Sequence, residues 1–145
     1  MIYARKKGQV EEPIEVQREK YRNHWVIRTV GDKHICNNLS LFNNFQRGDF
    51  GNYDDCYGST PIEGIGSVDL KVKDHKGNVV VLKLREVLYI PKWNRNQLSL
   101  FALRGSFQYG VTVSNLILGK VKIPATQNEH NIPVITTIDL VEINV

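Results

Sequence analysis

A chain of 145 residues with 41% apolar side chains has the length of one domain and enough apolar surface for one continuous core. No run approaches the roughly 18 consecutive apolar residues of a membrane helix, and the start Met1-Ile-Tyr-Ala-Arg-Lys-Lys7 lacks a signal peptide's apolar stretch, so no membrane association and an intracellular home, cytoplasmic or nuclear, are expected. A formal charge of +4 would help the chain stay near nucleic acid without establishing that it binds any, and Cys36 and Cys56 match neither a metal ribbon nor a disulfide framework and read as unpaired thiols.

Residues 1–24 are polar and charged and read as a basic leader preceding a domain over 25–145. The densest positive cluster, Arg5-Lys6-Lys7, suits a solvated segment better than a nucleic-acid contact. Ile14 and Tyr21 mark one face of a short helix over 15–22, although Ile14 and Val16 flanking Glu15 equally suit a strand. Trp25-Val-Ile27 begins a strand, and Asn37-Asn38 and Asn43-Asn44 mark turns. The segment 47–59, rich in Gly, Asp, Asn and Tyr, reads as an exposed loop or irregular strand. The clearest signal is a hairpin: Val68, Leu70 and Val72 alternate with polar residues, 74–78 turns, and Val80, Leu82 and Leu84 alternate on the return. The return strand continues through Val87-Leu-Tyr-Ile90 without alternation, which predicts burial on both faces, and Pro91 ends it. A helical turn over 97–103, closed by Gly105, should come next, and then strands over 109–113, 116–123 and 134–145. The expected fold is all-β and barrel-like with one short helix.

The string from Trp25 through Val26, Ile27, Arg28 and Thr29 to His34 and on to Phe42 and Phe45 resembles the opening of the copia-type retropepsin domain of retrotransposon polyproteins. That domain typically reads Trp, two apolar residues, Asp-Ser-Gly-Ala, a short gap, His, and an apolar stretch leading to Phe. Gly64-Ile65-Gly66 resembles its Gly-x-Gly strand. Val87-Leu-Tyr-Ile-Pro91 and Asn96-Gln-Leu-Ser-Leu100 resemble its Val-Leu-Tyr-Val-Pro and Asn-Leu-Leu-Ser signatures. The order and gaps match over residues 25–138.

The resemblance implies a retropepsin-like half-barrel that, in active relatives, pairs with a second copy across a two-fold axis. It also implies a substrate cleft bordered by Gly64, Ile65 and Gly66. Aspartic protease chemistry needs two close carboxylates sharing one proton, one activating water while the other polarises the peptide carbonyl. By the family spacing the catalytic aspartate falls on Arg28, followed by Thr29, Val30 and Gly31. A guanidinium stays protonated and cannot serve as a general base. No catalytic residue is therefore expected, and the nearest substitute carboxylate is Asp32.

No metal site and no cofactor is expected. His34 and Cys36 are two apart, but two ligands do not make a zinc site, and His34 reads as a hydrogen-bonded packing histidine. Serine hydrolase, phosphate-loop and zinc protease motifs are missing from the sequence. Three functions remain. The first is a retrotransposon-derived pseudoprotease that binds an extended peptide by strand addition or dimerises. The second is an active aspartic endopeptidase processing its polyprotein, and the third is a basic nucleic-acid-binding accessory domain.

Overall fold

Pro13 sets where the first helix begins: its carbonyl accepts from the amides of Val16 and Gln17, and its own ring needs no amide partner at that end. Helix α1 (Ile14–Lys20) carries Glu15 in its first turn and Arg18 and Lys20 in its last, the charge order a helix dipole favours. The computed structural model describes residues 12–29, 31–55, 58–103, 109–112 and 114–138. Arg5-Lys6-Lys7, Val30, Cys56, Gly105, Val113 and residues 139–145 lie outside that set.

Three polar side chains fasten the helix to the sheet domain. Gln17 is buried, its Nε2 donating to the Glu12 carbonyl at 2.6 Å and its Oε1 accepting from Asn94 Nδ2 at 3.1 Å. Arg18 Nη2 donates to the Asn37 carbonyl. The Arg95 guanidinium lies 3.8 Å from the centre of the Tyr21 ring and pairs with Glu129 at 2.8 Å.

Strands come in the order β1 (His24–Arg28), β2 (Ile35–Cys36), β3 (Phe42–Arg47), β4 (Asn52–Asp55), β5 (Gly58–Pro61), β6 (Gly64–Lys73), β7 (Val79–Tyr89) and β8 (Asn96–Ser99). After helix α2 (Leu100–Leu103) come β9 (Tyr109–Val111), β10 (Asn115–Leu118), β11 (Val121–Pro124), β12 (Thr126–Gln127) and β13 (Pro133–Thr136). The main sheet has the order β12-β13-β1-β8-β2-β7-β6-β3, with a second sheet β11-β10-β9 and a separate hairpin β4-β5. The all-β expectation holds.

The hairpin read from alternation is β6 and β7, paired in one register from Lys73 opposite Val79 to Val68 opposite Leu84 and, after a slip, in another from Gly66 opposite Val87 to Gly64 opposite Tyr89. Its inner residues Leu70, Val72, Leu82 and Leu84 pack against Leu116, Leu118 and Ile123 of the second sheet and against Trp25, Ile27 and Leu98. Val87 through Ile90 are all buried, as their unbroken apolar run requires.

Three readings are corrected. Residues 97–99 are strand, not helix: β8 lies between β1 and β2, buried along its whole length, so no alternation marks it. The single strand read over 116–123 is the hairpin β10-β11, turned at Gly119 with φ 62°, a conformation glycine adopts without a steric cost. Asn43-Asn44 is no chain reversal but lies inside β3, where Asn44 has φ 51° and the pairing with β6 slips, the mark of a bulge.

Candidate functional site

Trp25, Val26 and Ile27 are buried and carry β1 through the centre of the sheet to Arg28 at its C-terminal end. Strand β8 runs parallel to β1 and sets Ser99 opposite Arg28. Thr29, Asp32 and Lys33 are exposed, Arg28 and Gly31 half-buried and His34 buried. The loop therefore leaves the core at Arg28 and re-enters it at His34.

Side chains of β8 hold this loop. Ser99 Oγ donates to the Gly31 carbonyl at 2.5 Å and accepts from the Ala102 amide at 3.1 Å, which also caps α2. The Ser99 amide donates to His34 Nδ1 at 3.0 Å, and Gln97 Nε2 donates to the Lys33 carbonyl at 3.0 Å. A Cβ on Gly31 would stand 2.9 Å from Gln97 Nε2, so the amide fills the space a side chain would need. On the other side the Leu88 amide donates to the His34 carbonyl. The loop is clamped between β7 and β8.

Tyr53 of β4 reaches the same place. Its ring packs edge-on against Trp93 at 5.4 Å, and its hydroxyl is 3.6 Å from the Cβ position of Gly31. Burial pushes its phenol up, the Gln97 hydrogen bond opposes that, Asp32 and Asp55 add to the rise, and Arg28 opposes it. Arg28, Asp32, Tyr53, Asp55 and Gln97 thus share one electrostatic neighbourhood. The charge at the point where the strand ends, Arg28, is a cation.

Burial lowers the His34 imidazole to about 4, so the ring is neutral near pH 7. Since its Nδ1 accepts from the Ser99 amide, Nε2 carries the proton. Cys36, buried, has its thiol pushed up to about 12 by burial and is not a nucleophile at ordinary pH. Among the described residues no group of three His, Cys, Asp or Glu side chains is placed to hold a metal ion, and no helix is long and apolar enough to cross a membrane.

Gly64, Ile65 and Gly66 lie at the start of β6, away from this loop in sequence but joined to it through β7: Ile65 stands opposite Leu88, which stands opposite Ile35. Gly64 and Gly66 are buried under Phe45 and Phe42, and Ile65 packs with Ile35, Leu88, Ile90 and Trp93. Asp32 instead lines an open cleft of about 790 Å³ with Lys33, His34, Lys83, Glu86 and Phe101.

Sequence reasoning missed Gln97, Ser99 and Tyr53 as the residues that fix the loop. The Asn96-Gln-Leu-Ser99 string carried the signal, since two amides and a hydroxyl in a central strand must find partners. Tyr53 gave none, sitting in a polar stretch that read as exposed loop or irregular strand.

Among known proteins, the family model described as Pol polyprotein, beta-barrel domain matches residues 25–106, more than half of the chain, from β1 past α2. No curated protein and no solved structure matches the chain.

Proposed function

Because the chain belongs to the Pol polyprotein, beta-barrel domain family, a region of retrotransposon polyproteins, we propose that it is a copia-type, retropepsin-like module that does not cleave peptides and acts as a single copy, binding an extended peptide segment. The observation that carries this reading is Arg28 at the end of β1, opposite Ser99, where the resemblance calls for the catalytic aspartate. A guanidinium keeps its proton at every accessible pH. It can neither activate water nor share a proton with a second carboxylate, so the dyad chemistry has no starting group.

The same cation argues for a single copy. A retropepsin active site forms where two copies bring this loop together on a two-fold axis, and two half-buried guanidiniums there would repel in a medium less polar than water. Peptide binding needs neither aspartate: an extended segment adds to a sheet edge through backbone hydrogen bonds. The edges of the main sheet are β3 and β12.

Sedimentation velocity tests the single-copy reading. The expected result is one species at the 16.6 kDa chain mass, unchanged between low and moderate salt. A dimer at neutral pH, stable in both, would mean that the two-fold interface tolerates Arg28 and would overturn it.

A further inference from the structure

The alternation that buries one face of the β6-β7 hairpin puts a row of cations on the other. Asp69, Lys71 and Lys73 of β6 and Val79, Val81, Lys83 and Arg85 of β7 all point away from the core. The register sets Lys73 opposite Val79, Lys71 opposite Val81 and Lys83 opposite Asp69. Same-face neighbours along a strand are roughly 6.8 Å apart. Lys71 with Lys73 and Lys83 with Arg85 therefore form two short rails of charge, broken by a single carboxylate.

Three further observations mark this face. Among the described residues, none of its four cations is held in an ion pair, whereas ion pairs elsewhere include Lys20 with Glu12, Arg22 with Glu19, Arg47 with Glu63, and Glu129 with Arg95 and His130. The hairpin's far end adds Lys76 in the turn and exposed Lys122, whose carbonyl accepts from the His75 amide. At the near end, Lys83 and Arg85 line the open cleft together with Lys33, where three cations outnumber the two carboxylates of Asp32 and Glu86.

We infer that the outer face of the β6-β7 hairpin is a binding surface for the phosphodiester backbone of nucleic acid. Unpaired cations at regular spacing on a rigid strand pair keep their counterions loosely, and a polyanion that displaces them gains the entropy of their release. An anionic bilayer is the poorer fit. The hairpin's outer face offers only Val79 and Val81 as exposed apolar groups, and the exposed aromatic ring near it, Phe101, lines the cleft rather than the face, too little apolar surface to anchor at a lipid interface. The surface reads no sequence, because it has charge and no groups arranged against base edges. It is separate from the proposed peptide function, and neither depends on the other.

The test is fluorescence anisotropy of a labelled single-stranded RNA of mixed sequence against the whole chain over a salt series. Four phosphate contacts on a single strand predict a slope of log K against log salt near −2.8, or roughly 50-fold weaker binding between about 50 and 200 mM. Lys73→Gln, Lys83→Gln and Arg85→Gln together should leave one contact and a loss of only about threefold over the same range. All three side chains are exposed, and circular dichroism checks that the variant folds. A variant with the same charge change elsewhere, Lys20→Gln, Arg47→Gln and Lys92→Gln, should bind as the parent does. The inference is overturned if this control weakens binding equally, or if Arg5→Gln, Lys6→Gln and Lys7→Gln alone remove it. Capture by phosphatidylserine vesicles without binding to RNA would also overturn it.

Discussion

Replacing Gly64 by alanine should cost about 2 kcal/mol of unfolding free energy, the scale of an overpacked core site. A Cβ at that position would stand 2.1 Å from Phe45 Cζ and 2.4 Å from its Cε1. The ring is not free to turn aside without loss, because Phe45, Phe42 and Tyr89 form a three-ring cluster with centroids 5.3 to 5.7 Å apart in edge-on pairs. Gly66 is crowded differently: its Cβ would meet Phe42 at 2.9 Å but also the Asn43 carbonyl at 3.0 Å and Phe45 Cα at 3.1 Å. The two sites should separate in urea titrations. In a Phe45→Leu background Gly64→Ala should lose the larger part of its cost, since the clashing ring tip is gone and only the Gln46 carbonyl at 3.0 Å still opposes the Cβ, whereas Gly66→Ala should keep most of its cost because two backbone atoms oppose it. Equal stability of Gly64→Ala and the parent would show that the ring cluster does not hold Phe45 in place. The glycines are thus required by the chain's own aromatic packing whatever else this strand binds.

Acid should weaken the fold through His34. Its folded value, lowered by burial to about 4, lies below the ordinary 6.5, so the native state resists a proton that the unfolded chain accepts. Stability from this group is complete above about pH 6.5 and is lost as pH falls toward 4, by roughly 3 kcal/mol in all. The structural reason is direct: a proton on Nδ1 would face the Ser99 amide N–H that now donates to it. His24, lowered by burial first and by Arg95 second, acts with the same sign. Asp74 and Glu129, whose carboxyls are held down by hydrogen bonds to the Asn78 amide and to Arg95, lose their contribution below that window. His34→Gln keeps an acceptor for the Ser99 amide without the titration. Unfolding curves between pH 7 and 4.5 should then slope less for the variant than for the parent. Identical slopes would remove His34 from the acid response.

The parts of this fold that were legible are those where one face of a strand is wet. Val68, Leu70, Val72, Val80, Leu82 and Leu84 announced β6 and β7 because polar residues alternate with them, and the 87–90 run announced double burial by not alternating. Strand β8 defeated the same logic. Its four residues are all buried yet include Asn96 and Gln97, which are in the core because they hold loops: Asn96 Oδ1 accepts from the Asn37 amide and its Nδ2 donates to the Arg22 carbonyl. Such partners lie about 60 to 75 residues away in sequence and leave no local pattern. At the site, Arg28 and the loop to His34 were legible from the motif, while the clamp from Ser99 and Gln97 was not. The cationic face was legible in principle, since Lys71, Lys73, Lys83 and Arg85 occupy the polar phase of the alternation. Counting charge along the chain drew attention to Arg5-Lys6-Lys7 instead.

Whether position 28 alone decides catalysis is accessible by substitution. Arg28→Asp alone and Arg28→Asp with Val30→Gly, which rebuilds the acidic motif, separate position 28 from its neighbour, and a double variant that folds and dimerises but never cleaves would place the lesion beyond both positions.

Cleavage by the parent chain is the most direct measurement. A mixture of fluorogenic peptides at about pH 5, above the point where His34 protonates in the fold and within the range where a carboxylate dyad shares its proton, should show no turnover above buffer, with or without an aspartic protease inhibitor. Acid-dependent, inhibitor-sensitive cleavage that disappears in Asp32→Asn would contradict the pseudoprotease reading, because it would mean that the loop after Arg28 delivers a working carboxylate after all.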